Sequence, residues 1–220
     1  MTTVKEEDIK CSVCEKISTH RIIRSTSAWG SMDLDTRPPN PKRSSLDMWV
    51  QICPSCGYCA PGLSTKGEHI AEIVHSTSYQ QQLKNPEFSK LANGFLCFSL
   101  IQENAGDYVG AGWSSVHAAW ACDDDDFLDG AQECRKKAAN LFKRASENKQ
   151  EFSKQLGGEE LLKVDLLRRS GQFEAALQTC RDGLLKQPAK LILKLYEYQQ
   201  TLINISDMSC HSVNEITEDD

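Results

Sequence analysis

Two cysteine pairs constrain this chain more than any other feature of its sequence. Residues 11–14 (Cys-Ser-Val-Cys) and 53–57 (Cys-Pro-Ser-Cys-Gly) each place two residues between two sulfurs. This spacing lets one tight turn direct two thiolates at one metal ion, and two such turns complete a closed tetrahedral zinc site. Pro54 fixes φ in the second turn, and Gly57 permits a left-handed conformation after the second sulfur. We therefore predict a zinc ribbon that holds one structural zinc ion through Cys11, Cys14, Cys53 and Cys56.

Other chemistries fit parts of this pattern. An iron centre of the rubredoxin kind takes the same four thiolates. Cys59 or His20 could replace one of the four ligands. A disulfide-rich secreted protein would begin with a signal peptide, whereas residues 1–8 are polar and acidic. Since the other cysteines are scattered along the chain, we expect reduced thiols in a cytoplasmic protein.

Composition indicates a soluble protein with a packed core. The apolar fraction of 40% and the charged fraction of 25% are ordinary for such a protein. No apolar run approaches the ~20 residues that cross a bilayer, so no membrane span is expected. The net charge of −6 argues against broad nucleic-acid binding. Residues 10–60 nevertheless carry more basic than acidic side chains, which keeps nucleic acid as an alternative partner.

Residues 10–62 are predicted to form the zinc-ribbon module. Strands are predicted over residues 19–25 and 48–52, which are short and rich in β-branched side chains. Between them, Pro38, Pro39 and Pro41 exclude a helix or a central strand and predict an extended loop. The module has few apolar residues, so it should depend on its metal and dock on the rest of the chain.

Residues 63–205 are predicted to form an all-α module, which makes the chain an α+β protein. A short helix is expected at 68–75, and a longer one begins with Asn85 as N-cap and Pro86 as its first residue. Apolar periodicity predicts further helices over residues 111–122, 127–147, 159–170, 173–186 and 190–203. Residues 206–220 are polar and acidic and are predicted to be a disordered tail.

The helical module contains a pattern typical of tetratricopeptide (TPR) repeats. Small, aromatic and helix-ending residues recur at the spacing of the second half of a repeat: Gly171, Phe173, Ala176, Cys180, Gly183 and Pro188. A weaker earlier copy consists of Trp113, Val116 and Trp120, followed by Ala131, Ala138 and Ala145. A simple helical hairpin is the alternative interpretation of this earlier copy. The pattern therefore predicts a TPR-like domain.

The chain resembles a bacterial family of uncharacterised proteins that join an N-terminal zinc ribbon to a TPR-like helical domain. The resemblance lies in residues 11–14, 33–39 (Asp-Leu-Asp-Thr-Arg-Pro-Pro), 49–60 and 118–124, and it covers most of residues 10–190. It implies a four-cysteine metal site on a helical scaffold and implies no reaction. Cys59 departs from the family pattern, in which a small apolar residue is expected.

Two other groups of residues invite functional interpretations. His117 lies one helical turn from both Trp113 and Trp120, which is typical of a packed core histidine. Residues 123–126, four consecutive aspartates, lack the spacing of a calcium loop. They predict a solvated loop in which Asp125 or Asp126 caps the next helix. Since no nucleotide-binding or hydrolase motif is found, we expect a protein that is not an enzyme.

The leading functional hypothesis is a zinc-binding interaction scaffold that holds a protein or peptide in a TPR-like groove. The groove would draw on Trp113, Val116, His117, Trp120, Lys163, Leu167 and Lys190. Two repeats are fewer than the ~3 that a solenoid needs, so we expect the extra helices, the ribbon or a second subunit to cover its open ends. A second hypothesis is a nucleic-acid-associated ribbon, with contacts from Arg21, Arg24, Arg37, Lys42, Arg43 and either Trp29 or Trp49. A third is a rubredoxin-like redox protein that uses iron or Cys59.

Overall fold

The N-terminal part of the chain consists of two β-hairpins whose turns carry the cysteine pairs. The fold is known from a computed structural model that describes residues 1–216. Strands β1 (Thr3–Lys10) and β2 (Ile17–Ser25) pair antiparallel, as do the short strands β3 (Gln51–Ile52) and β4 (Cys59–Ala60). The predicted module boundary at residue 10 leaves out β1. This strand is exposed on both faces, so no apolar alternation marks it in the sequence.

The segment before β3 is helical rather than extended. A 3₁₀ helix (Arg43–Met48) occupies the start of the strand predicted over residues 48–52, which is correct only at Gln51–Ile52. Ser45 and Leu46 of this helix are buried, so packing against the rest of the protein fixes its conformation. β propensity depends on context, and in this segment tertiary packing outweighs it.

Helices follow the ribbon, and the small N-terminal β part with a mostly helical body confirms the α+β class. Their bounds are α1 (Ile70–His75), α2 (Thr77–Leu83), α3 (Lys90–Asn104), α4 (Tyr108–Asp124), α5 (Leu128–Glu147), α6 (Gly158–Arg169), α7 (Phe173–Leu184) and α8 (Lys190–Asn204). The sequence missed α2. It also placed the N-cap of α3 at Asn85, whereas the side chain of Ser89 accepts the Ala92 N–H at 3.2 Å. The Asn85 side chain instead accepts the Glu87 N–H in the preceding turn.

Successive helices pack into antiparallel hairpins around two apolar clusters. Phe95, Trp120 and Phe142 belong to the first cluster, which includes residues of the ribbon and of α3 to α6. Val164, Ala176 and Tyr196 join the second, which spans α6 to α8. Two glycines of the repeat pattern lie at these contacts. Gly171 is in the turn between α6 and α7, and Gly183 is where α7 approaches α8. The assignment of these helices to the TPR class stays a prediction.

Two glycines show why the sequence fits this helical arrangement. Gly171 lies in the turn between α6 and α7 with φ of +74°, a conformation that costs glycine little. Gly183 faces the ring of Tyr196, and a Cβ there would lie 1.9 Å from the phenol oxygen. Only glycine lets α7 and α8 approach this closely.

The ribbon packs directly on the helical module, as expected for a module with few apolar residues. A Cβ on Gly94 of α3 would lie 2.8 Å from Cδ1 of Ile52 in β3. The Trp49 ring meets the His117 ring of α4 edge-on, with centroids 5.0 Å apart. Ribbon residues Val50, Tyr58 and Cys59 belong to the same apolar cluster as α3 to α5. The two modules therefore share a core.

The C-terminal segment is ordered as far as the structure describes it. The Leu34 N–H donates to the His211 carbonyl at 2.9 Å, and the Val213 N–H donates to the Met32 carbonyl at 2.9 Å. A 3₁₀ helix (Val213–Ile216) follows. The prediction of disorder from residue 206 is therefore wrong up to residue 216, because these residues pair with the loop before Arg37. Residues 217–220 of the predicted tail lie outside the described residues. Within residues 1–216, every helix is too short or too polar to cross a membrane.

Candidate metal centre

The two cysteine turns have the same backbone design. In the first, the Cys11 N–H donates to the Lys16 carbonyl and the Glu15 N–H donates to the Cys11 carbonyl, both at 2.9 Å. In the second, the Cys53 N–H donates to the Tyr58 carbonyl at 2.8 Å and the Gly57 N–H donates to the Cys53 carbonyl at 2.9 Å. Each turn thus closes on itself and presents both sulfurs on one side.

The residue after each pair has a positive φ, of 60° at Glu15 and 77° at Gly57. The glycine expected in the second turn has a further role, because a Cβ at Gly57 would lie 2.3 Å from Cδ2 of Leu83 in α2. The second turn is therefore pressed against a helix, whereas the first accepts a glutamate. The left-handed conformation is the common requirement of the two turns.

The hairpins bring four sulfurs together. The Sγ atoms of the two pairs all lie within 4.8 Å of one another. Across the two turns, Cys11 and Cys56 are 3.7 Å apart and Cys14 and Cys53 are 3.6 Å apart. A disulfide would need ~2 Å between sulfurs, so these distances describe four thiols around a common centre. The group could hold a metal ion.

The protonation of these thiols fits a metal-binding set. Burial raises the pKa of the Cys53 thiol, but the N–H groups of Cys56 and Ser55 point at its sulfur and bring the pKa down to about 7. Burial raises the pKa of the Cys11 and Cys56 thiols. A metal ion binds thiolates, so its binding would displace the protons of Cys11 and Cys56.

A hydrogen-bonded frame fixes both turns to their surroundings. The Ser12 N–H donates to the Leu63 carbonyl at 2.8 Å, which ties the first turn to the chain after β4. The Tyr79 hydroxyl of α2 donates to the Gly57 carbonyl and accepts the Cys59 N–H, both at 3.0 Å. This tyrosine is fully buried, so the second turn is anchored to the helical module.

The two alternative ligands lie elsewhere. The Cys59 thiol is fully buried and donates to the Gly57 carbonyl at 3.2 Å. The His20 ring bonds the Ser18 hydroxyl through Nε2 at 2.8 Å. Within the described part of the chain, the sulfur cluster contains neither of them. Cys59 therefore packs behind the second turn.

Comparison with known proteins decides the family. A family model described as "Uncharacterized protein conserved in bacteria (DUF2225)" matches residues 4–200. The chain belongs to this family. The resemblance drawn from the cysteine pairs and the Asp-Leu-Asp-Thr-Arg-Pro-Pro segment is thereby confirmed. No curated protein and no solved structure matches the chain.

In this DUF2225 chain, residues 33–37 (the 33–37 loop) form a buried ionic connection that the sequence analysis missed. The Asp35 carboxylate is 1% exposed and accepts from the Trp120 indole N–H at 2.8 Å and from Arg169 at 2.9 Å. Leu34 packs into the apolar cluster of α6 to α8. The loop thus links the ribbon to both helical clusters. The sequence carried one signal for this connection. Asp33 and Asp35 flank Leu34, and the 33–37 loop has no other apolar residue.

Asp124, Asp125 and Asp126 are exposed, as predicted for a solvated loop, but neither Asp125 nor Asp126 caps α5. Asp123 accepts from the buried Arg135 and, at 2.9 Å, from Arg169. Asp124 accepts from Arg37 at 2.5 Å. The N-cap position of α5 is Phe127, and in the described structure no side chain caps it. The sequence analysis missed the pairing of the first two aspartates with arginines that are distant in sequence.

The side chains proposed for the TPR-like groove range from buried to exposed, and the groove stays a prediction. Val116 and Trp120 are buried, and His117 is enclosed by the rings of Trp49, Phe95, Trp113 and Trp120. Lys163 lies beside Glu160 and the ring of Phe152. Trp49 of the ribbon and Asp35 of the 33–37 loop contact Trp120 of α4. The interpretation of His117 as a core residue is confirmed, and burial lowers its pKa to about 4.

Some of the basic ribbon residues pair with carboxylates of the protein. Arg37 is buried and pairs with Asp124, Arg43 pairs with Asp33, and Arg21 lies 3.1 Å from Asp47. The Trp49 ring packs on α4, while Trp29 is 74% exposed. Arg21, Arg24 and Lys42 are exposed, so the nucleic-acid alternative stays a prediction.

Proposed function

We propose that Cys11, Cys14, Cys53 and Cys56 bind one structural zinc ion. Zinc–sulfur bonds of about 2.3 Å in a tetrahedron separate the sulfurs by about 3.8 Å. The distances of 3.6 and 3.7 Å between the two turns match this value. Four protein ligands leave no open coordination position, which is typical of structural rather than catalytic zinc.

The zinc ion would fix the ribbon in place on the helices. β3 and β4 are two residues long each, too short to hold a hairpin in water without further support. A cation that joins both turns would close the long connection between β2 and β3. That connection contains the 33–37 loop, so the metal would also help to position Asp35 beside Arg169.

The protein as a whole is proposed to be a non-enzymatic interaction protein. A closed metal site offers no position for a substrate, and the chain presents large apolar side chains at its surface, among them Leu128 and Leu185. A cytoplasmic location is part of the proposal. All ten cysteines, which lie within residues 1–216, are free thiols, as suits a reducing compartment.

A rubredoxin-like iron centre is the second candidate, because iron takes the same four thiolates. Cys14 and Cys56 are partly exposed, which an electron-transfer centre would require. Metal content and the visible spectrum of protein purified without oxygen distinguish the two. We expect one colourless zinc per chain. Iron with a reversible thiolate-to-metal band would replace our proposal with electron transfer.

The interaction role needs its own test. The zinc-loaded protein is isolated under mild conditions from the cells that make it, and co-purifying proteins are quantified. A partner in fixed ratio to the chain supports the role, and its absence at native expression levels contradicts it. A substrate turned over by the purified protein would also contradict it.

A further inference from the structure

The turn between α4 and α5 exposes large apolar side chains. Leu128 is 65% exposed and Phe127 is 36% exposed. Together with Phe88, which precedes α3, they line a surface cavity of about 520 Å³, which we call the α5 cavity. Gly130 also lines it, and a Cβ there would lie 2.7 Å from the Glu87 carbonyl oxygen. The cavity is large enough for one apolar side chain of a partner.

The rim of the α5 cavity is acidic. Glu87, Asp126, Asp129 and Glu133 line it, and none of its lining residues is basic. Glu133 lies 2.7 Å from Lys136. For the other three carboxylates, no ion pair occurs with any residue in the range 1–216. A cluster of unpaired negative charge thus surrounds exposed leucine and phenylalanine.

We propose that the α5 cavity binds a basic segment of a partner protein, in which one large apolar residue is flanked by lysines or arginines. This inference rests on the proposed interaction role and names its surface. Burial of Leu128 and Phe127 supplies the attraction, and the acidic rim selects a cationic partner and orients it. The same rim repels phosphates, so nucleic acid and anionic lipid do not fit this surface.

The partner segment has to be short. The cavity lies between the turn that precedes α3 and the first turn of α5, and its lining comes from residues 87–88 and 126–133. An apolar anchor surrounded by charged contacts is the usual arrangement of a small binding hot spot. The acidic groups are exposed, so their contribution should weaken as salt increases.

The probe for the test is a set of fluorescein-labelled octapeptides, each with two lysines and two arginines around a central Leu, Ile, Phe or Met. Fluorescence anisotropy measures their binding to full-length, zinc-loaded protein. A peptide with glycine at the centre tests the anchor, and one with glutamates in place of the basic residues tests the charge.

The test variants are Leu128→Ser, which removes the exposed leucine, and the double variant Glu87→Gln with Asp129→Asn. The matched controls are Leu191→Ser and Glu174→Gln, at exposed positions on α8 and α7. Zinc content and thermal unfolding of every variant must match the wild type. We expect Leu128→Ser to weaken binding by about tenfold and the charge variant to flatten the salt dependence. The controls should bind as the wild type does.

The proposal is overturned if no apolar-centred peptide binds, or if Leu128→Ser and Leu191→Ser bind equally. It is also overturned if the chain dimerises through Leu128, which light scattering of the wild type and Leu128→Ser would reveal. The proposed interaction role and this surface can be refuted independently of each other. A native partner that remains in fixed ratio with Leu128→Ser would refute this surface and leave the interaction role intact.

Discussion

Replacement of His117 by phenylalanine should remove much of the acid sensitivity of the fold. The imidazole lies among the rings of Trp49, Phe95, Trp113 and Trp120, where ribbon and helices meet. Burial lowers its pKa to about 4, and the nearby positive charge of Lys42 adds to the effect. The unfolded chain has a histidine pKa near 6.5, so it takes up a proton that the folded protein rejects.

The sign and size of the effect follow from this difference. The contribution of the neutral His117 side chain to the free energy of unfolding is fully present above about pH 6.5. It is lost as the pH falls towards 4. Between about pH 7.5 and about pH 5, the two pKa values give a loss of about 2 kcal/mol from this residue alone. The phenylalanine variant cannot titrate, so it should lose about 2 kcal/mol less than the wild type over the same interval.

Urea unfolding at the two pH values, followed by tryptophan fluorescence, measures the free energy of unfolding for both proteins. Metal content is determined at each pH, because loss of zinc in acid would affect both proteins alike. His75→Asn is the matched control, since His75 is exposed. Equal losses for wild type and His117→Phe would refute the assignment of this acid sensitivity to His117.

Three further predictions concern other parts of the molecule. Asp35→Asn should lower the free energy of unfolding by about 2 kcal/mol, because the Arg169 guanidinium then keeps only the half-buried Asp123 as its charge partner; an effect under about 1 kcal/mol in urea unfolding contradicts this. Gly183→Ala should cost about 1–3 kcal/mol through the clash with Tyr196, whereas Gly62→Ala, whose Cβ meets only ordinary contacts, should unfold at the wild-type temperature. Cys59→Ala should keep its full metal content, since the Cys59 sulfur lies outside the cluster; metal loss without unfolding would make Cys59 a ligand.

The sequence predicted the parts of the fold that depend on local chemistry. The cysteine spacing identified the four clustered thiols, because two residues between sulfurs fix the shape of a turn. Apolar periodicity found α4 to α8 within a few residues of their bounds, since each helix buries one face. His117 was recognised as a core residue from its two tryptophan neighbours one turn away.

The parts that failed depend on contacts between distant residues. Nothing local indicates that Asp35 meets Arg169 or that Asp123 meets Arg135. The contacts of Trp49 and Asp35 with Trp120 of α4 were missed for the same reason, because they join segments far apart in the sequence. The pairing of residues 211–213 with residues 32–34 likewise involves segments separated by most of the sequence.

X-ray absorption at the metal edge of the full-length protein tests the central claim most directly. The four-cysteine site predicts zinc with four sulfur neighbours at about 2.3 Å and no nitrogen. The Cys53→Ser variant should lose this signal, while Cys59→Ala retains it. A nitrogen or oxygen neighbour in the wild type, an iron edge in place of zinc, or the absence of any bound metal would contradict the account.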